Sequence, residues 1–135
     1  MYFKIYLIAF VIFLAIDMLW LGVIAKNFYQ DQIGSLIKSD VNWTAALIFY
    51  LLFVVGVVVF AIYPGLSKGS ILTAIMYGAL FGFLSYATYD LTNLATLKDW
   101  PVIVTIVDMI WGAVLAASVS GLTYLVIEKF TNIRI

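Results

Sequence analysis

The 135-residue sequence contains no cysteine and no histidine. Without cysteine the chain has no disulfide and no thiolate nucleophile, and without histidine it has no imidazole base. The absence of both residues also removes the usual protein ligands of zinc, copper and haem. We therefore expect no metal site and no cofactor, and any proton transfer falls to carboxylates, tyrosine, lysine or water.

Charged residues are also scarce. They make up 10% of the chain, against about 25% in soluble domains, and the net charge is zero. This balance gives no reason to expect a nucleic-acid partner. Hydrophobic residues make up 66% of the chain, with a mean hydropathy of +1.16. The sequence is therefore that of an integral membrane protein, whose first partner is the lipid bilayer.

Four segments have the roughly 20 apolar residues that a membrane span needs. In hydrocarbon the backbone must pair its own polar groups, so each span is expected to be a helix. The first is too long for a signal peptide and is expected to stay in the membrane. The sequence predicts an all-α, integral membrane four-helix bundle, a single transmembrane domain over residues 1–135, with helices at about residues 5–25, 43–63, 70–92 and 101–127. Pro64 and Gly65 are expected to close the second helix.

Four spans place both termini on one side of a multi-pass membrane protein. The basic residues number four on that side and three on the other, which favours cytoplasmic termini. On the side of the termini they are Lys4, Lys68, Lys129 and Arg134, and on the other Lys26, Lys38 and Lys98. A four-span chain of this size is expected to act as a homodimer.

An Asp-x-x-Trp motif occurs in two of the spans, as "AIDMLWLGV" (residues 15–23) and "IVDMIWGAV" (residues 106–114). The spacing keeps Asp17 with Trp20 on one helix face, and Asp108 with Trp111 on another. A charged aspartate near the bilayer centre costs about 2.5 to 3.5 kcal/mol on insertion scales, and no span interior holds a lysine or arginine to offset it. We expect the first and fourth helices to bring each aspartate near the other helix's tryptophan, with at least one acid protonated.

The third span carries a second polar cluster in "YATYDLTNLAT", residues 86–96. At helical spacing Gly78, Gly82, Tyr86, Asp90 and Asn93 share a stripe, with Tyr89 alongside. Asp90 and Asn93 are expected at the membrane boundary.

Small residues predict how the third helix packs. Gly78 and Gly82 form a GxxxG pair, and the fourth helix has Gly112, Ala116 and Ser120 at the same spacing. Because small residues allow two backbones to approach closely, we expect these two helices to meet along this seam.

Together these patterns predict an intramembrane site for a ligand or a proton. Its residues are Asp17, Trp20, Tyr86, Tyr89, Asp90, Asn93, Asp108 and Trp111. Each group also has a purely structural interpretation. Asp90 and Asn93 can cap a helix end, and Asp17 and Asp108 can hold helices in register through tryptophan. The span-end residues Trp43 and Trp100 are typical of an interfacial aromatic belt, and the second helix is expected mainly to pack.

The segments "YDLTNLATLKDWP", "VDMIWG" and "IDMLWLG" resemble a family of small bacterial four-span membrane proteins catalogued as a domain of unknown function. The resemblance covers essentially the whole chain, and its most specific part is Tyr89-Asp90-x-Thr92-Asn93-x-Ala95-Thr96. It implies a four-helix fold in a bacterial inner membrane and gives weight to the aspartates and tryptophans above. It implies no activity.

Three functions remain open from the sequence. The cluster can bind or transport a cation or small amphipathic solute, with proton exchange on Asp17 or Asp108. It can instead serve a membrane enzyme that acts on a lipid or isoprenoid through aspartate acid and base chemistry. The chain can also be a structural or accessory subunit.

Overall fold

The computed structural model describes residues 1–135, of which 85% are helical and none lies in a strand. Four helices are long and apolar enough to cross a membrane, and a short fifth helix follows the first of them. In chain order the helices are α1 (Tyr2–Ile24), α2 (Lys26–Ile33), α3 (Trp43–Lys68), α4 (Ile71–Thr96) and α5 (Val102–Phe130). The predicted all-α membrane fold is confirmed.

The expected end of the second span at Pro64 is wrong. α3 runs through Pro64 and Gly65 to Lys68, and ends at Gly69, whose φ of 63° only glycine adopts readily. A π-helical turn, Val58–Ile62, ends two residues before the proline. Its wider hydrogen-bonding pattern shifts the amide and carbonyl partners, so the missing N–H of proline does not stop the helix.

The starts of α3 and α5 differ in how they are capped. Asn42 accepts a 3.1 Å hydrogen bond from the Ala45 amide at the start of α3. At the start of α5 the cap position is Pro101 and no side chain caps the helix. Proline suits this place because the first helical amides have no partner within the helix.

The antiparallel helices α4 and α5 pack backbone to backbone along the small-residue seam. A Cβ added at Gly78 would lie 2.7 Å from the Ala116 carbonyl oxygen, and one added at Gly112 would lie 2.7 Å from that of Gly82. Neither position has room for a side chain. This close contact fixes the register of α4 against α5 and therefore of every polar residue that they carry.

An apolar core fills the half of the bundle that is nearer the termini. Phe13 of α1 is fully buried and contacts Phe53 of α3 at a ring-centroid distance of 5.7 Å, while Leu115 of α5 is fully buried in the same cluster. The other half contains a cavity instead of a filled core.

Candidate intramembrane binding site

A cavity of about 450 Å³ lies in the half of the bundle away from the termini, and all five helices contribute to it. Eleven of its fourteen lining residues are hydrophobic, so an occupant would meet mainly aromatic and aliphatic surface. The lining residues are Asp17, Trp20, Leu21, Tyr29, Ile33, Ala46, Phe49, Tyr50, Ser85, Tyr86, Tyr89, Trp100, Asp108 and Trp111.

The first acid of the cavity wall is Asp17, which is only 3% exposed. It accepts a hydrogen bond of 3.4 Å from the indole nitrogen of Trp111. Trp111 in turn stacks on Trp20, with ring centroids 4.3 Å apart and an angle of 9° between the rings. The aspartate of α1 is therefore satisfied by the tryptophan of α5.

The second acid is Asp108, and its link to α1 passes through a tyrosine. The Tyr29 hydroxyl of α2 donates a hydrogen bond to Asp108 and accepts one of 3.1 Å from the indole nitrogen of Trp20. Each aspartate is thus connected to the other helix's tryptophan, Asp17 directly and Asp108 through Tyr29. The two Asp-x-x-Trp motifs form one network.

Tyr29 lies outside the membrane-spanning helices. Burial raises the pKa of its hydroxyl above the ordinary value of 10.0, and the hydrogen bond to Asp108 raises it further, because a phenolate beside a carboxylate is unfavourable. Tyr29 therefore keeps its proton at neutral pH and remains a donor to Asp108.

The third acid, Asp90, lies behind the cavity wall. It is fully buried, and neither of its carboxyl oxygens has a hydrogen-bond partner among the other groups of the chain. Asp90 interacts with the carboxyl group of Asp108. Asp90 is therefore shielded from solvent by the protein itself, and its depth at the membrane boundary stays a prediction.

Asn93, like Asp90, is a predicted site residue outside the cavity lining. It is half-buried and does not line the cavity. Its backbone carbonyl accepts a 2.9 Å bond from the Leu97 amide at the end of α4. Of the other predicted residues, Asp17, Trp20, Tyr86, Tyr89, Asp108 and Trp111 all line the cavity.

Tyr29 and Tyr50 also line the cavity, although no sequence pattern predicts them as site residues. Tyr50 lines the cavity within interaction range of Asp17, so the expectation that the second span mainly packs is too narrow. α3 carries no charge before Lys68, so no polar stripe marks Tyr50. Tyr29 belongs to "KNFYQDQI", whose helical spacing brings Tyr29 and Ile33 to one face, and that face covers the cavity.

Trp100 has a different place from the one expected. It is 8% exposed, lines the cavity and donates a 3.1 Å hydrogen bond to the Thr105 hydroxyl. Its ring meets that of Tyr89 nearly edge-on, at 5.8 Å and 87°. Trp100 is therefore a wall residue, whereas Trp43 is 73% exposed, as a belt residue would be.

No lysine or arginine lines the cavity, and no three acidic side chains are arranged to hold a metal ion. Two carboxyl groups, hydroxyl donors and aromatic faces remain. In a low-dielectric setting this set favours a positive charge or a proton over an anion.

The fold and this cavity define a small helical membrane protein with four apolar helices and an aromatic-lined pocket that has two acids on its wall. Residues 2–125 match a family described as "Predicted membrane protein (DUF2177)", and the chain belongs to this family. The resemblance to a membrane-protein family of unknown function is thereby confirmed. No curated protein and no solved structure matches the chain.

Proposed function

We propose that the protein binds a small amphipathic solute with a cationic head group in this cavity and exchanges it across the membrane. The observation that carries the proposal is the pair of acids, Asp17 and Asp108, on the wall of a cavity without basic side chains. A bound cation would supply the positive charge that the fold itself omits.

The head group would lie between the two acids and the aromatic faces. Tyr86 of α4 lines the cavity between α1 and α5, where it faces both Asp17 and Asp108. Aromatic rings attract cations through their negative faces, which adds to the attraction of the carboxylates. Tyr29 orients Asp108 through its hydroxyl.

The apolar part of the solute would contact the outer region of the cavity. Leu21 and Phe49 line it and are also 39% and 46% exposed, so they form a rim at the surface of the bundle. An apolar rim favours entry of a solute that partitions into lipid, because its tail stays in an apolar environment along the way.

A proton would compete with the cation for these acids. Either one neutralises a carboxylate in the low-dielectric cavity, so solute binding and protonation exclude each other at Asp17 or Asp108. This competition is the physical basis on which a proton gradient could drive solute exchange.

The cavity occupies only one half of the bundle, and this supports a second element of the proposal. In the other half, the apolar core leaves no passage for a solute through a single protein chain. A route through the whole membrane therefore needs a surface shared with a second copy, and we propose a homodimer in a bacterial inner membrane with cytoplasmic termini. Mass measurement in mild detergent tests the dimer, and a purely monomeric mass would contradict it.

A panel of probes with one tail and three head groups tests the proposed ligand class. Octylammonium, octanol and octanoate are titrated into the protein in detergent at neutral pH, in a Trp43→Phe background, and emission is followed because Trp20 and Trp111 line the cavity. We expect saturable binding of octylammonium at least about tenfold tighter than octanol, and none of octanoate. Equal affinity for all three probes would show that the cavity binds apolar tails without selecting a cationic head group, which would contradict the proposal.

A further inference from the structure

The packing of α4 against α5 brings two acids together. A Cβ at Gly78 would contact Ser120, and one at Gly82 would contact Ala116. Four residues further along α4 and four residues back along α5, Tyr86 lies beside Gly112. A Cβ added at Gly112 would lie 2.5 Å from the Tyr86 ring. One further step places Asp90 opposite Asp108.

The two acids differ in their surroundings. Asp108 faces the cavity and accepts the Tyr29 hydroxyl, whereas Asp90 is fully buried with both oxygens unpartnered. A buried carboxylate without a donor loses its hydration and gains no compensating bond, which is among the most unfavourable arrangements in a protein. A carboxylic acid in the same place has an O–H to donate, and the adjacent Asp108 can accept it.

The groups that face this pair offer no positive charge. From α2 comes Tyr29, from α4 Tyr89, and across the cavity lie Asp17 of α1 and Tyr86 of α4. All of these are neutral or acidic. Only a proton can then relieve the repulsion between the two carboxyl groups when the cavity holds no cation.

We propose that Asp90 and Asp108 form a proton-sharing pair, in which Asp90 keeps its proton at neutral pH and donates it to Asp108. Asp108 then accepts two hydrogen bonds, from Asp90 and from Tyr29, and it alone of the pair presents a negative charge to the cavity. Asp90 acts as a positioning residue, because it orients Asp108 without reaching the cavity itself. The shared proton leaves the Asp90–Asp108 pair with one negative charge instead of two.

Infrared spectroscopy of the protein without any ligand tests the pair directly. We expect a protonated-carboxyl band at neutral pH that persists in the control Asp31→Asn, an exposed residue of α2. Asp90→Asn should remove the band, and Asp108→Asn should shift it, because the acid loses its anionic acceptor. Absence of the band from the native protein, or its persistence in Asp90→Asn, would overturn the pair. If Asp90→Asn does not fold, the pair is supported by a band in the native protein that shifts in Asp108→Asn, and it is overturned by a band that does not shift.

A second measurement rests on the proposed function and separates positioning from a merely structural role. Asp90→Leu removes the donor to Asp108 and should weaken octylammonium binding at least about tenfold, while Asp90→Asn restores an N–H donor and most of the affinity. Equal weakening in both folded variants would overturn the positioning role. If the infrared band is present but no cationic probe binds the native protein, the pair stands and the proposed function is wrong.

Discussion

The indole rings of Trp20 and Trp111 lie parallel, with centroids 4.3 Å apart. This stack joins α1 to α5 and directs each indole nitrogen toward the acid of the opposite helix, Asp17 or, through Tyr29, Asp108. The tryptophan of each motif therefore binds the acid of the other motif, directly or through Tyr29, and these contacts hold both acids at the cavity wall.

Replacing Trp111 with phenylalanine keeps a ring in the stack but removes the donor to Asp17. We expect the free energy of unfolding to fall by about 1 kcal/mol, since hydrogen bonds between helices in a membrane contribute about that much. Unfolding in mixed micelles measures the loss. Trp43→Phe is the matched control because Trp43 is 73% exposed; an equal loss there would show that the Asp17 bond contributes nothing.

The seam between α4 and α5 predicts a contrast between two glycine substitutions. Gly82→Ala would drive a methyl group against the backbone of Gly112, whereas Gly22→Ala meets no atom within 4 Å. Overpacking of this kind typically costs about 1 to 3 kcal/mol. We expect the first variant to lose stability and the second to keep it, measured by thermal unfolding in detergent. Similar behaviour of the two would contradict the close packing.

The buried hydroxyl of Tyr29 predicts that the stability of the folded protein falls at alkaline pH. Burial, and then the bond to Asp108, raise its pKa in the folded protein above 10.0, while the unfolded chain ionises near that value. The stability that this difference provides is present in full below about pH 10 and is lost as the pH rises further, because only the unfolded state releases the proton. Unfolding measured from neutral to alkaline pH should show a smaller alkaline loss in Tyr29→Phe than in the native protein. Identical losses would place Tyr29 outside the network.

Orientation follows from charge and has its own test. The four basic residues on the side of the termini favour cytoplasmic ends. A reporter that is active only in the cytoplasm should be active when fused after Ile135, and an export-dependent reporter should be silent. The opposite pattern would reverse the topology.

Helical periodicity was sufficient to predict much of this arrangement. The three-residue spacing of each Asp-x-x-Trp motif puts both groups on one face, and the small residues of α4 and α5 predict where backbones meet. Tyr29 was missed because no periodic pattern tells how a connecting segment folds back over a cavity. Tyr50 was missed because α3 carries no charge before Lys68 and its sequence therefore shows no distinct polar face.

The burial of Asp90 is another feature that the sequence did not predict. Sequence position alone places it near the end of a span, where solvent is expected. Its burial depends on the register of α4 against α5. In the same way, Trp100 turns inward to the cavity wall instead of outward to the lipid. Both are tertiary relationships that one helix's sequence does not contain.

The most direct test of the central claim is the equilibrium affinity of octylammonium for Asp17→Asn, Asp108→Asn and the exposed control Asp31→Asn. Asparagine keeps the shape and hydrogen bonding of the acid but removes its charge. If the cavity acids hold a cationic head group, each of the first two variants binds at least about tenfold more weakly than the native protein, while Asp31→Asn binds equally well. Native affinity in both Asp17→Asn and Asp108→Asn would contradict the account, because the acids would then serve only to hold the helices together.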